Sequence, residues 1–199
     1  MSSTAAARWA QPLDPSPSLA AEDGSRTSVV DVPEGEFSVD DPRAADVRQL
    51  LKRHLAFANS HSPPEDVHAL DVDGLIDPAV AFFSFRFKGE LLAVGALKHL
   101  DGHHAELKSM HTSEAARGRG IGRAMVDQLI GVARDRGFRR VSLETGSMAA
   151  FAPARSLYAS AGFRPCGPFG DYRPSGNSTF MTLSLDSPGS TDDYAPDGV

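Results

Sequence analysis

The sequence predicts a mixed α/β fold in which one sheet is packed between helices. Three observations predict it. Segments with strand-like and helix-like hydrophobic periods alternate between residues 37 and 185. A glycine-rich turn joins a strand to a helix in the second half of that span. The chain has 199 residues, 41% of them hydrophobic, which suits one domain of ordinary size diluted by non-folding sequence.

The elements follow in order. Phe37-Ser38-Val39 is a short strand, and Asp40-Asp41-Pro42 supplies a helix N-cap with proline in the first turn. Val47, Leu50, Leu51 and Leu55 then keep a helical stripe to about Asn59, with His54 its one polar member. Ser62-Pro63-Pro64-Glu65 breaks that helix and opens a short second one to Leu70. Residues 79–87 and 91–100 form a hairpin turned by Lys88-Gly89-Glu90. Residues 106–112 are the next strand. Ile121, Met125, Leu129 and Val132 mark a helix ending near Gly137, and residues 139–145 return as a strand. Ala152 to Ala161 is a helix stopped by Gly162, and two last strands fit 163–173 and 179–185. The order is β-α-(α)-β-β-β-α-β-α-β-β.

Charge divides the chain into three. Residues 1–36 carry six acids against two arginines, and residues 186–199 carry four aspartates and no base. Both ends read as disordered tails, the first holding the only tryptophan, Trp9. Residues 37–185 are mildly basic, with seven arginines between 117 and 140. That cluster is too short and too poor in aromatics for a nucleic-acid stripe. There is no apolar run of 18 residues, hence no membrane span, and no secretory h-region. The single cysteine, Cys166, excludes an internal disulfide framework and a cysteine zinc site, so a reducing cytoplasm is the expected location.

The informative stretch is Arg117-Gly118-Arg119-Gly120-Ile121-Gly122-Arg123, between a strand and a helix. Glycines let backbone N–H groups approach an anion, and the helix N-terminus adds unpaired donors and a positive dipole end. A diphosphate is the natural guest. A phosphate loop of the Gly-Lys-Ser/Thr type is absent, and a dinucleotide G-x-G-x-x-G would need glycine where Arg123 stands. The bland alternative is a glycine-rich turn that merely caps a helix.

Arg117-x-x-Gly120-x-Gly122 resembles the Q/R-x-x-G-x-G/A signature of the GNAT superfamily of acyl-CoA-dependent N-acyltransferases. Leu157-Tyr158 through Gly162-Phe163 is similar to the family's LY-x-x-x-GF helix. The resemblance runs over roughly 37–185. Ser62-Pro63-Pro64-Glu65, Leu143 to Met148 and Pro165 to Phe169 further resemble the YsnE-like bacterial branch of N-acetyltransferases. The implied fold is a mixed, mostly antiparallel sheet of six to seven strands, flanked by about four helices, with its central parallel strands splayed.

The resemblance also implies roles. Acetyl-CoA would lie between the splayed strands, its pantetheine pairing with the backbone of Met110, His111 and Thr112. The diphosphate would sit on the N–H groups of residues 118–123, that is Gly118, Arg119, Gly120, Ile121, Gly122 and Arg123, with Arg117 beside them. A backbone N–H near Met110 would polarise the acetyl carbonyl. The acceptor amine must lose a proton before attack. Family members with a glutamate base carry it at the position of Glu106, which could equally pair with Lys108 on the same strand face. Glu144 is the second candidate base. Tyr158 matches the tyrosine that protonates the leaving thiolate. The asparagine common seven residues before it is replaced by Phe151, so no asparagine role carries over.

Other residues read more plainly. His103-His104 is expected in a surface turn without a third metal ligand, so no metal is expected. His54 is expected to be a satisfied core histidine, and Cys166 a packed thiol. Glu65 suits a helix cap, while Glu65 or His68 could also touch the acceptor. Tyr172 and Arg173 fall near the last strands, where acceptors bind in this fold.

The expected function is transfer of the acetyl group of acetyl-CoA to a primary amine in a ternary complex, without metal or covalent enzyme intermediate. The lack of a long docking surface outside the tails tilts the acceptor towards a small molecule, with no nucleic-acid or membrane partner. A homodimer through sheet edges is compatible with the fold. The alternatives are a protein N-terminal or lysine acetyltransferase and a non-catalytic acyl-CoA-binding domain.

Overall fold

The computed structural model describes residues 35–185. Both acidic tails and Trp9 lie outside the described residues. Seven strands make one sheet: β1 Glu36–Val39, β2 Val80–Phe87, β3 Glu90–Asp101, β4 His104–Thr112, β5 Arg140–Gly146, β6 Arg164–Pro165 and β7 Ser178–Ser184. Their spatial order is β1-β2-β3-β4-β5-β7-β6, antiparallel throughout except between β4 and β5. Helices α1 (Ala45–His61) and α2 (Val72–Leu75) cover one face, and α3 (Ile121–Asp135) and α4 (Ala152–Ser160) the other.

The hydrophobic periods explain the layers. Ile121, Met125, Leu129 and Val132 of α3 are all buried against the sheet, as their spacing requires. Along β2, Ala81, Phe83 and Phe85 point into the core under α3, while Val80 and Phe82 meet Val47, Leu50 and Leu51 of α1. A strand buried on both faces must be apolar at successive positions, and β2 is.

Three local expectations are corrected. Asp41 does not cap α1: its carboxylate accepts from the Arg43 N–H (2.9 Å) in a turn ahead of the helix, which starts at Ala45. The stretch after α1 is not one helix to Leu70. It is a 3₁₀ turn, Pro64–Asp66, and then α2, whose N-cap Asp71 accepts from the Gly74 N–H (2.9 Å). The strand expected over 163–173 shrinks to Arg164–Pro165, because Pro165, Pro168 and Pro174 have no N–H to offer a ladder.

Two features of β4 position the site. Its parallel pairing with β5 covers only His104↔Arg140, Ala105↔Val141 and Glu106↔Ser142, after which the strands part. Its antiparallel pairing with β3 slips one residue between Lys108 and His111, and Ser109 takes the left-handed φ of 51°. Opposite this bulge lies Gly95, where a Cβ would come within 2.5 Å of Met110 Sδ. Glycine there lets the bulged strand seat Met110 against the core.

Candidate active site

The parting of β4 and β5 opens a cleft of about 530 Å³. Its walls are the C-terminal half of β4, the loop before α3, Glu144 to Gly146 of β5, and one side of α4. The roof is α1 with the segment from Ser62 to Ala69. Of the expected ligand-binding residues, Met110, His111, Thr112, Arg117, Gly118, Gly120, Ile121, Gly122 and Arg123 line it, and Arg119 does not.

One end of the cleft is built for an anion. Gly118 (φ 71°) and Gly120 (φ 77°) both have left-handed backbones, and Gly120 is the N-cap of α3. A Cβ on Gly122 would meet Thr112 Oγ1 at 3.2 Å and Leu157 at 3.4 Å, so the helix start packs directly against β4. The first helical turn, whose N–H groups have no partner within the helix, thus belongs to the residues that line the cleft. Arg117 Nε donates to the Thr112 carbonyl (3.4 Å). Arg123 is occupied otherwise: its Nε donates to Asp127 and its Nη1 to the Ser160 carbonyl (3.0 Å), tying α3 to α4.

Tyr158 lines the middle of the cleft from α4 and is only 7% exposed. Burial, and to a lesser degree the carboxylate of Glu144, push its phenol far above the usual tyrosine range. It keeps its proton at any neutral pH.

The other end holds the carboxylates. Glu106 is 2% exposed, and its Oε1 accepts from Lys108 Nζ (3.0 Å) and from the Tyr172 hydroxyl (2.5 Å). Lys108 also donates to the Tyr172 oxygen (2.7 Å). The Glu106–Lys108 pairing open in the sequence is thus present, and Glu106 itself does not line the cleft. Glu144 does line it, on the far side of the split, and burial raises its carboxyl above the usual range. His68 stands edge-on to Tyr172 (4.9 Å), and Asp66 accepts from the Asn177 amide (2.9 Å).

His54 is corrected from core to cleft. It lines the cavity and meets His111 edge-on at 5.3 Å, both rings held to about 4 chiefly by burial. His104 is corrected from surface turn to interior: it is 4% exposed, 2.8 Å from Ser142 Oγ and 3.1 Å from Arg140. Among the described residues no group of three or more metal-ligating side chains could hold an ion. Sequence reasoning missed Asp66, Phe57 and Phe151 as cleft residues. Phe151 packs edge-to-face on Phe57 (5.2 Å), beside Gly146, where a Cβ would collide with its ring. A glycine next to a phenylalanine five residues on was the available signal.

Comparison with known proteins agrees with this architecture. The model of the acetyltransferase (GNAT) family matches residues 44–163. The chain is 45% identical over 149 residues to the uncharacterized N-acetyltransferase YsnE of Bacillus subtilis, covering 75% of this chain and 99% of that protein. It is 44% identical over 150 residues to the uncharacterized N-acetyltransferase YedL of Escherichia coli, covering 75% and 94%. A Bacillus subtilis acetyltransferase solved in complex with CoA shares the fold, with a TM-score of 0.59 at 17% identity over 76% of this chain and 99% of that one.

Proposed function

The chain belongs to the GNAT family, as an acetyl-CoA-dependent N-acetyltransferase of the YsnE-like kind, and from that premise we propose that it acetylates a primary amine of a small molecule by direct attack within a ternary complex. The observation that carries this reading is the parting of β4 from β5 beyond Glu106 and Ser142, in line with the glycine loop. Parted strands leave backbone groups of β4 free to pair with an extended ligand, and the loop provides for its anionic end.

The residues present fit acetyl-CoA. Residues 118–123 offer backbone N–H groups at a helix start cleared by three glycines, and Arg117 stands beside them. Met110, His111 and Thr112 supply the strand edge. Bound there, acetyl-CoA contributes an acyl group activated as a thioester. The bulge at Ser109 turns the β4 backbone at the point where that carbonyl needs a donor.

Tyr158 is the proton donor to the departing sulfur, since its buried phenol is protonated and lines the cleft. The acceptor's proton leaves through the carboxylates at the opposite end. Glu144 faces the acceptor directly. Glu106, the position expected of the base, stands one layer behind, and a proton reaches it when Lys108 releases one to the Glu106 carboxylate and takes the acceptor's proton in its place. The roof formed by α1 and residues 62–69 covers the cleft, which supports a small amine rather than a folded protein as acceptor.

The test is thermal denaturation with acetyl-CoA, CoA, ATP and NAD, followed by thiol release against a set of amines. A ligand that binds only the folded state at ~100 Kd adds roughly 2.7 kcal/mol. Stabilisation by both CoA species and not by ATP or NAD, with amine-dependent thiol release, is the expected outcome. Absence of stabilisation by either CoA species would remove the reading.

A further inference from the structure

The charges at the acceptor end point to a narrower class of substrate, and this inference rests on the transferase reading above. We infer that the acceptor is a monoamine with an aromatic or aliphatic body and no carboxylate beside its amino group.

Lys108 is the ammonium at this end, and it is not available to a carboxylate. Its side chain is 8% exposed, and it is bonded to Glu106 and to Tyr172, with its charge cancelled by Glu106 at 3.0 Å. The imidazoles of His54 and His111 are neutral at physiological pH. The remaining charged side chains named at this end are carboxylates, and the one further basic group among them is the His68 imidazole, which already faces both. Glu144 lines the cleft half-buried, and Asp66, whose carboxyl is held below the usual range by its bond from Asn177, lines the same end. An arriving ammonium finds carboxylates and delivers its proton to one of them. An α-amino acid brings a further negative charge beside Glu144, and among the described residues no lysine or arginine at this end is left to receive it, so the like charges repel.

The walls describe the rest of the molecule. Phe57 and Phe151 meet edge-to-face, and Val67 and Ala69 continue the apolar surface. Such a wall accepts a ring or alkyl chain and offers no fixed hydrogen-bond pattern.

The experiment uses the full chain with saturating acetyl-CoA and follows thiol release. Amines are matched with their α-carboxylated and esterified counterparts: phenethylamine, L-phenylalanine and its methyl ester; pentylamine, L-norleucine and its methyl ester. The expected kcat/KM for the amines and esters exceeds that for the free amino acids by roughly 100-fold. Glu144→Gln should reduce that ratio at least tenfold while stabilisation by acetyl-CoA is retained, which a merely structural role would not produce. Free amino acids turned over as well as the amines would overturn the inference. So would failure of every member of the set in a protein that acetyl-CoA still stabilises, and this outcome would leave cofactor binding intact. Loss of stabilisation by acetyl-CoA would instead fail the transferase reading itself.

Discussion

At the scale of single residues the proposed mechanism assigns its two proton duties to two side chains whose environments suit them. Tyr158 is kept protonated by burial, and Glu144 is pushed upward by the same cause from a carboxylate's usual range. One group can give a proton and the other can take one, and both line the same cavity. Tyr158→Phe should therefore lower kcat by about 10²-fold while leaving stabilisation by acetyl-CoA unchanged. Equal turnover by the phenylalanine variant would remove Tyr158 from the chemistry. The base makes a pH prediction. A carboxyl raised above its usual value is protonated, and so inactive as a base, over a wider acid range. The kcat/KM profile should then rise with pH through an apparent value above that of an ordinary glutamate, and Glu144→Gln should abolish that limb. If Glu106→Gln abolished it instead, the base would be the carboxylate behind Lys108. Tyr158 was legible in the sequence because its motif surrounds it. The partners of Glu106 were half legible: Lys108 lies two residues along the same strand, but Tyr172 lies in an irregular loop whose path no periodicity describes.

At the scale of elements, the site exists because two strands part and one of them bulges. The alternating segments were legible to within a few residues, since β2, β3, α3 and β5 are each buried on the faces their periods mark. The bulge was not, because the extra residue at Ser109 leaves the composition of β4 unchanged. The loop was legible through its glycines, and the structure distinguishes their duties. A Cβ on Gly118 meets nothing within 4 Å, whereas its φ of 71° is left-handed. Gly118→Ala should thus cost roughly 1–2 kcal/mol of stability from backbone strain, with acetyl-CoA binding weakened rather than lost. Gly120→Leu combines the same strain with a side chain at the helix start and should abolish stabilisation by acetyl-CoA altogether. Calorimetric titration of both variants separates strain from obstruction. Full binding by the leucine variant would mean that the diphosphate does not use this helix start.

At the scale of the whole molecule, the cleft borders the hydrophobic core under α3, whose Leu107, Ala116, Ile121 and Tyr158 line it, so its ionisable groups are tied to the stability of the fold. His54 and His111 are the clearest case. The sequence placed His54 on the apolar stripe of α1, which suggested the core. No sequence feature showed that β4 would bring His111 against it, because their contact depends on how the helix crosses the sheet. Both imidazoles titrate near 6.5 when unfolded and at about 4 in the fold, burial being the main cause, with repulsion from Lys108 adding to it at His54 and repulsion from His54 and nearby arginines at His111. Between those values the unfolded chain binds more protons than the folded one. Stability must therefore rise with pH across the window from about 4 to 6.5, and its slope is at most roughly 1.4 kcal/mol per pH unit for each ring. Above 6.5 the two rings contribute no slope. Replacing both rings by phenylalanine keeps an edge-on aromatic contact and removes the titration, so the pH dependence of Tm in that window should flatten relative to the parent protein. A residual slope of the same sign is expected from His104, which burial shifts in the same direction. An unchanged slope in the double variant would mean that these rings are hydrated enough to protonate in the folded state, and the dry, neutral wall from which the acceptor class was argued would go with it.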